Sequence, residues 1–191
     1  QKHTFYSILK EKDVCPPDER RRSPVTHESH DLHDRPPRRD QEEFCPYCMS
    51  RVAAGQSCPV CGLTQGAYTP APHHLPLGTV LAGRYLVGRA LGEGGFGITY
   101  IGCDLRLEMK VAIKEYFPVD RVSRYAETSL AVVSRVGTAS QDYDQGLKRF
   151  LYEARTMARM EKQPQIVMVR DYFEANHTAY IVMEYVEGTN F

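Results

Sequence analysis

The sequence predicts an α+β domain of five strands and one helix, preceded by a small cysteine-rich module and a polar tail. From position 78 onwards, short apolar stretches read RYLVGRALG, ITYIGCDL and KVAIKEYF, and after a helical stretch IVMVRDYFEA and TAYIVMEYVEG. Two C-x-x-C pairs stand at 45–48 and 58–61, and residues 1–43 are dense in charge and proline. The expected order of the larger domain, 78–191, is strand, strand, strand, helix, strand, strand.

Composition limits the partners of the chain. In 191 residues, 24 Lys and Arg balance 24 Asp and Glu, so no basic surface for nucleic acid or for an acidic membrane is indicated. No apolar run is long enough for a membrane helix, and the first residues lack the pattern of a secretory signal. We expect a cytoplasmic protein with no membrane segment in this chain. Because the chain begins with Gln and stops soon after an apolar run, we expect both ends to continue in a longer protein.

Two segments outside the larger domain read as irregular. Residues 1–43 carry too few aliphatic side chains to offset chain entropy, which predicts disorder. Residues 64–77 contain three prolines and no periodicity, which predicts a semi-extended linker. We expect His73 and His74 in this linker to be solvated.

Four cysteines between these segments indicate a metal site. Cys45, Cys48, Cys58 and Cys61 form two C-P-x-C turns separated by nine residues, and two such turns can surround one metal ion with four thiolates. Zinc suits this ligand set, whereas a redox C-x-x-C would need no second pair and has no βαβ pattern around it here. Residues 44–63 resemble a zinc ribbon. Arg51 is the only basic residue between the cysteine pairs, so a structural or protein-docking role, including a regulatory protein partner, is expected rather than phosphate binding.

A glycine-rich run, LGEGGFGITYIG at 91–102, raises the question of phosphate binding. Its G-x-G-x-x-G spacing occurs both in dinucleotide-binding folds and in protein kinases. In a dinucleotide fold the run would open a helix, but here β-branched and aromatic residues follow at once. The run is therefore predicted to lie in a hairpin, with Phe96 at its tip.

The motif VAIK at 111–114, on the strand after this hairpin, makes the resemblance specific. A glycine-rich hairpin followed by VAIK resembles the N-terminal lobe of a protein kinase, a five-stranded antiparallel sheet with one helix. The resemblance implies that Lys114 orients nucleotide phosphates and that Glu153 on the following helix pairs with it. An ordinary snorkelling lysine and a solvated helix carboxylate are the alternatives, and Glu161 and Glu174 are weaker candidates for the pairing role.

The stretch AYIVMEYVEG at 179–188 resembles the strand and hinge that follow in kinases. The resemblance implies that Met183 is the gatekeeper, and that the Glu184 carbonyl and the Val186 N–H face adenine, with Tyr185 and Glu187 as spacers. The nucleotide site it implies comprises Leu91, Gly92, Gly94, Gly95, Phe96, Gly97, Thr99, Ala112, Lys114, Met183, Glu184 and Val186.

The spacing between Lys114 and Glu153 departs from the kinase pattern. Thirty-eight residues separate them, and KEYFP followed by such an insertion resembles a group of bacterial Ser/Thr kinases. We expect residues 118–144 to form a surface loop rather than a regulatory flap.

The resemblance implies an ATP-dependent Ser/Thr kinase that transfers the γ-phosphate to protein hydroxyls, with Mg²⁺ as a second cofactor and zinc in the ribbon. This chain contains neither the H-R-D nor the D-F-G motif, so we expect the Mg²⁺ ligands in a second lobe and no activity from this chain alone. Two alternatives stay open: a pseudokinase that binds nucleotide, and a protein-interaction module centred on the ribbon.

Overall fold

This computed structural model describes residues 42–64, 66–125, 129–134, 138–159 and 167–187. The predicted disordered tail lies outside these ranges except for its last two residues, which belong to the first strand. The described residues form ten strands and one helix: β1 Glu42–Phe44, β2 Arg51–Ala53, β3 Val80–Leu81, β4 Tyr85–Gly94, β5 Gly97–Asp104, β6 Met109–Tyr116, β7 Val122–Ser123, β8 Val133–Ser134, α1 Thr138–Arg159, β9 Val169–Ala175 and β10 Thr178–Glu184.

The larger domain is built on an antiparallel sheet in the order β3-β4-β5-β6-β10-β9. Five of these strands correspond to the five expected, and β3 is an additional two-residue edge strand. A tight turn in which Ala82 and Gly83 adopt positive φ joins β3 to β4. A strand of two residues leaves no alternation of apolar and polar positions, so the sequence pattern could not reveal it.

The register of the sheet separates two faces. Thr99 lies opposite Lys114 and Met183 opposite Ala112, and directly opposed residues project to the same side. We call this side the Lys114 face and the other side the Glu115 face, because successive residues of a strand alternate between faces.

The sheet curls around its Glu115 face. The Tyr85 hydroxyl of β4 donates to Asp171 Oδ2 of β9 at 2.6 Å, and the Tyr85 ring stacks on Phe173 with the ring centroids 5.7 Å apart. These two strands are separated by three others in the sheet order. The Glu115 face therefore encloses a core, and the Lys114 face lies on the outside of the curl.

Helix α1 packs on the Lys114 face. It begins at Thr138, six residues before the predicted helical stretch at 144. The predicted apolar positions form the face of the helix that packs on the sheet, with Phe150, Leu151 and Ala154 buried. Leu147 and Met157 are half-buried, whereas Ala158 is exposed. Helix α1, the one helix among the described residues, does not meet the length and apolarity that a membrane crossing requires.

The linker is packed against the domain and is not a solvated spacer. Leu75 is fully buried, and its N–H donates to the Tyr100 hydroxyl at 3.1 Å. His74 is also buried, and His73 stacks on Phe117 with ring centroids 5.6 Å apart. The expectation of solvated histidines is therefore wrong, because this segment packs on the aromatic rings of Phe117 and Tyr100.

The expectation of a surface loop at 118–144 is wrong at Arg124. This side chain is completely buried and forms an ion pair with Glu115, which is also completely buried. The Arg124 guanidinium also donates to the carbonyl of Leu130 at 2.9 Å and to that of His73 at 3.0 Å. A buried carboxylate on the core side of β6 requires a cation, and the inserted segment supplies it.

Candidate functional site

The glycine-rich run forms the hairpin between β4 and β5, as its sequence predicts. A Cβ at Gly97 would lie 1.9 Å from the Glu115 carbonyl oxygen, so packing explains that glycine. Gly92, Gly94 and Gly95 have no positive φ, and a Cβ added to any of them would meet no described atom within 4 Å. These three glycines leave backbone that an anion can approach closely. Phe96 is 76% exposed at the tip.

Lys114 lies half-buried on β6, beside helix α1. Its Nζ is 5.8 Å from the centroid of the Phe150 ring, and Glu153 follows Phe150 by one helical turn. Burial lowers the pKa of Lys114 to about 8, and the nearby Glu153 carboxylate opposes that shift. The structure thus brings Lys114 and Glu153 to the same side of the sheet, with Glu153 itself exposed. Glu174 lies in β9, and Glu161 lies outside the described residues.

Three neighbouring strands bring further predicted site residues next to Lys114. Thr99 on β5 is half-buried, and Ala112 on β6 and Met183 on β10 are buried. Their register places them on the Lys114 face. Together they form a mainly apolar patch on the face that carries the Lys114 ammonium group, a combination suited to a flat apolar ring attached to an anionic tail.

The chain leaves the sheet directly after this patch. Strand β10 ends at Glu184, whose N–H donates to the Met168 carbonyl at 2.9 Å, and residues 185–187, with Val186 at their centre, continue without strand pairing. Glu187 pairs with Lys110, with Nζ and Oε1 3.3 Å apart. The resemblance predicts only a spacer at Glu187, because nothing local in the sequence indicates that the start of β6 lies beside it.

The linker histidines contact the glycine-rich run, a contact that sequence reasoning missed. The Glu93 carboxylate meets Nε2 of His73 at 2.9 Å and Nε2 of His74 at 3.1 Å. Burial alone would raise the pKa of Glu93, but the hydrogen bonds from His74 and His73 hold it below its ordinary value. The hairpin is therefore tethered to the segment that precedes the domain. The two histidines and Glu93 are 19 and 20 positions apart, and no motif links them.

The four cysteines converge as their spacing predicts. The Cys45 and Cys61 sulfurs are 3.6 Å apart, as are those of Cys48 and Cys58, and all four lie within 4.8 Å of one another. Disulfide sulfurs would be about 2 Å apart. Four sulfurs at about 2.3 Å from one zinc ion would be about 3.8 Å apart, so the cluster fits zinc. Strands β1 and β2 pair beside it, starting at Glu42.

The protonation of the cluster also favours a cation. Burial raises the pKa of Cys45 to about 12. Burial would also raise that of Cys58, but backbone N–H groups of Cys61 and Val60, together with the neighbouring thiols, bring it to about 7. Without a cation these thiols cannot all ionise in such close contact. A divalent ion would displace the remaining protons and supply most of the folding free energy of so small a module.

Substitution of Cys58 by serine is expected to abolish zinc binding and to unfold the ribbon. Metal analysis of the full-length protein should give one zinc per chain for the wild type and none for Cys58→Ser, with loss of hydrogen-exchange protection at 42–63. Cys103→Ser is the matched control, since Cys103 is a buried thiol on β5 outside the cluster, and it should retain the zinc. A wild-type ribbon that is ordered without metal would contradict the assignment.

Comparisons with known proteins agree with the kinase resemblance over part of the chain. The chain is 32% identical over 113 residues to serine/threonine-protein kinase B of Synechocystis sp., which covers 58% of this chain and 17% of that protein. It is 35% identical over 113 residues to serine/threonine-protein kinase pkn2 of Myxococcus xanthus, and the match covers 59% of this chain and 11% of that protein. It is 31% identical over 112 residues to serine/threonine-protein kinase PrkC of Bacillus subtilis, and the match covers 59% of this chain and 14% of that protein.

A structural comparison gives the same result. The apo form of PpkA-294 superposes with a TM-score of 0.57 at 35% identity, covering 61% of this chain and 40% of that chain. No protein-family model matches the chain, and the chain spans less than a fifth of the length of each of these three curated relatives. Over more than half of its length, this chain is similar in sequence to bacterial serine/threonine protein kinases.

Proposed function

We propose that this chain contains the ATP-binding lobe of a protein serine/threonine kinase. The observation that carries the proposal is the position of Lys114. Its ammonium group lies half-buried at the end of the patch formed by Thr99, Ala112 and Met183. The adjacent β4–β5 hairpin carries glycines that neither packing nor backbone conformation explains. The kinase names of the relatives support the same interpretation.

Each predicted residue then has a chemical task. The adenine ring would occupy the patch between Leu91, Thr99, Ala112 and Met183, and the Glu184 carbonyl and the Val186 N–H would recognise its edge. Glycines 92, 94, 95 and 97, with Phe96 at the tip, would cover the phosphates and exclude water. Lys114, held by Glu153, would neutralise charge on the α- and β-phosphates. Mg²⁺ would add charge neutralisation at the β- and γ-phosphates; we propose that its ligands and the base for the protein hydroxyl lie in a second lobe outside this chain.

Nucleotide affinity should depend on pH through Lys114. Below pH 8 the ammonium is already charged in the nucleotide-free protein, because its pKa is about 8. Bound phosphates raise that pKa, so above pH 8 binding must take up a proton, and the affinity for Mg·ADP should fall by up to about tenfold per pH unit. Titration calorimetry of the full-length protein at pH 7 and pH 9, in buffers of different ionisation enthalpy, measures both the affinity for Mg·ADP and the number of protons taken up on binding.

The control for this experiment is Lys114→Arg, whose guanidinium stays charged throughout this range, so the pH dependence should disappear. Absence of Mg·ADP binding at any pH would refute the nucleotide site. Binding without transfer of phosphate from Mg·ATP to serine or threonine would favour the pseudokinase alternative.

The reduced four-cysteine cluster fits a reducing compartment, and we propose the cytoplasm.

A further inference from the structure

The cysteine ribbon packs directly beside the proposed nucleotide site. Met49, in the ribbon between β1 and β2, is 2% exposed and forms a cluster with Ile101 and Cys103. Ile101 is the second residue after Thr99 on β5 and lies opposite Ala112. The ribbon therefore covers the same sheet face that carries the adenine patch and Lys114.

One predicted site residue and one hinge residue pack against this cluster. Leu91, which precedes the glycine-rich hairpin, and Tyr185, which follows β10 in the hinge, both pack against the cluster of Met49, Ile101 and Cys103. The resemblance predicts only a spacer at Tyr185, because no local pattern indicates that it packs against a cluster completed by Met49 from a distant segment. Met49 of the ribbon is thus part of the apolar cluster on which both chain segments beside the adenine patch pack.

Polar contacts fix the ribbon in this position. The Arg89 N–H donates to the Pro46 carbonyl at 2.8 Å, and Arg89 Nε donates to the Tyr47 carbonyl at 3.2 Å. At the other end of the interface, Arg51 pairs with Glu108 at 2.8 Å. The contact therefore combines a buried apolar centre with backbone hydrogen bonds.

Gly88 allows this close approach. A Cβ at this position would lie 2.1 Å from Met49 Cε and 2.5 Å from the Pro46 carbonyl oxygen. The first atom is the end of a flexible side chain, but the second is backbone, so a side chain at Gly88 would displace the ribbon. Helix α1 packs on the same sheet face beyond Lys114, and the adenine patch lies between the helix and the ribbon.

We propose that the ribbon is a wall of the adenine site, and that Met49 is a positioning residue that holds Leu91 and Tyr185 around the nucleotide. This inference rests on the proposed function. The four cysteines then do more than stabilise a separate module. They maintain the fold that presents Met49 and the Pro46 carbonyl to the lobe, so that nucleotide affinity depends on an intact, docked ribbon.

The test is the dissociation constant of Mg·ADP for the full-length protein at pH 7. Met49→Ala should raise it about fivefold to tenfold and raise KM for ATP similarly, with kcat at saturating ATP changed less than about twofold, because Met49 does not touch the phosphates. Met49→Leu retains the buried volume and should restore affinity to within about twofold of the wild type. Gln56→Ala is the matched control, since Gln56 is an exposed ribbon side chain outside both C-P-x-C turns, and it should have no effect.

A second variant tests the same contact in case Met49→Ala misfolds the ribbon. Gly88→Ala leaves the ribbon sequence intact and displaces it from the lobe, so zinc should remain at one per chain while the dissociation constant rises as it does for Met49→Ala. If both variants retain zinc and bind Mg·ADP as tightly as the wild type, the inference is wrong while the proposed function stands. If the wild type itself binds no Mg·ADP, the proposed function fails first.

Discussion

Substitution of Lys114 by methionine is expected to lower the rate of phosphate transfer by the full-length protein at least about 10²–10³-fold, the usual cost of removing a preorganised charge partner of a transition state. Methionine has a similar length but no charge, so the phosphates would lose the ammonium group while the adenine patch keeps its shape. Affinity for Mg·ADP should therefore fall less than about tenfold. Transfer of γ-phosphate to a protein substrate, with calorimetry for binding, measures the two effects separately.

The same substitution should not destabilise the lobe. Burial lowers the pKa of Lys114, which means that the folded protein disfavours its charge when no nucleotide is bound. Methionine removes that unfavourable desolvation, so the thermal midpoint without nucleotide should be unchanged or higher. Lost transfer together with preserved stability would separate a chemical role for Lys114 from a structural one.

Lys148→Met is the matched control for this experiment, because Lys148 is an exposed lysine on helix α1. It should transfer phosphate at the wild-type rate. Glu153→Gln, which keeps the shape of the partner and removes its charge, should reduce transfer less than Lys114→Met does. Undiminished transfer by Lys114→Met would contradict the proposed role.

Features of the fold that depend on short-range patterns could be predicted from the sequence. Alternating apolar residues place Lys114 on a strand, and β-branched residues after the glycine-rich run place that run in a hairpin. Two C-P-x-C turns bring their own sulfurs together, because each turn determines half of the cluster. In each case a few consecutive residues contain the whole signal.

Features that depend on distant partners could not be predicted. Glu115 follows Lys114 directly and resembles any charged residue of a half-exposed strand, yet it is completely buried. Its environment depends on Arg124 from the insertion and on hydroxyls of Tyr100 and Tyr180, on two other strands. The contact between Met49 and Ile101 likewise joins segments with no shared motif. The sequence shows that a residue is charged or apolar, but it does not show which distant residue becomes its partner in the fold.

Arg124→Ala should destabilise the larger domain by about 3–5 kcal/mol, the range for removing one partner of a buried ion pair. Burial alone would lower the pKa of Arg124, but the Glu115 carboxylate raises it above its ordinary value, so the guanidinium stays charged. Alanine would leave the Glu115 carboxylate buried with only the hydroxyls of Tyr100 and Tyr180 as described side-chain donors. Hydrogen exchange of β6 and β10 amides in the full-length protein measures the loss, because it reports the free energy of opening of these strands.

A matched pair of variants separates the buried ion pair from the general effect of removing an arginine. Arg121→Ala removes a largely exposed guanidinium 3.2 Å from Asp142 and should cost less than about 1 kcal/mol. The double variant Glu115→Gln, Arg124→Met leaves no unpaired charge in the core and should recover much of the stability lost in Arg124→Ala. Equal, small effects of Arg124→Ala and Arg121→Ala would show that the insertion is not anchored through Glu115. Since Glu115 adjoins Lys114 on β6, the expected result would instead mean that residues around Arg124 help to hold the strand that carries the proposed phosphate-binding lysine.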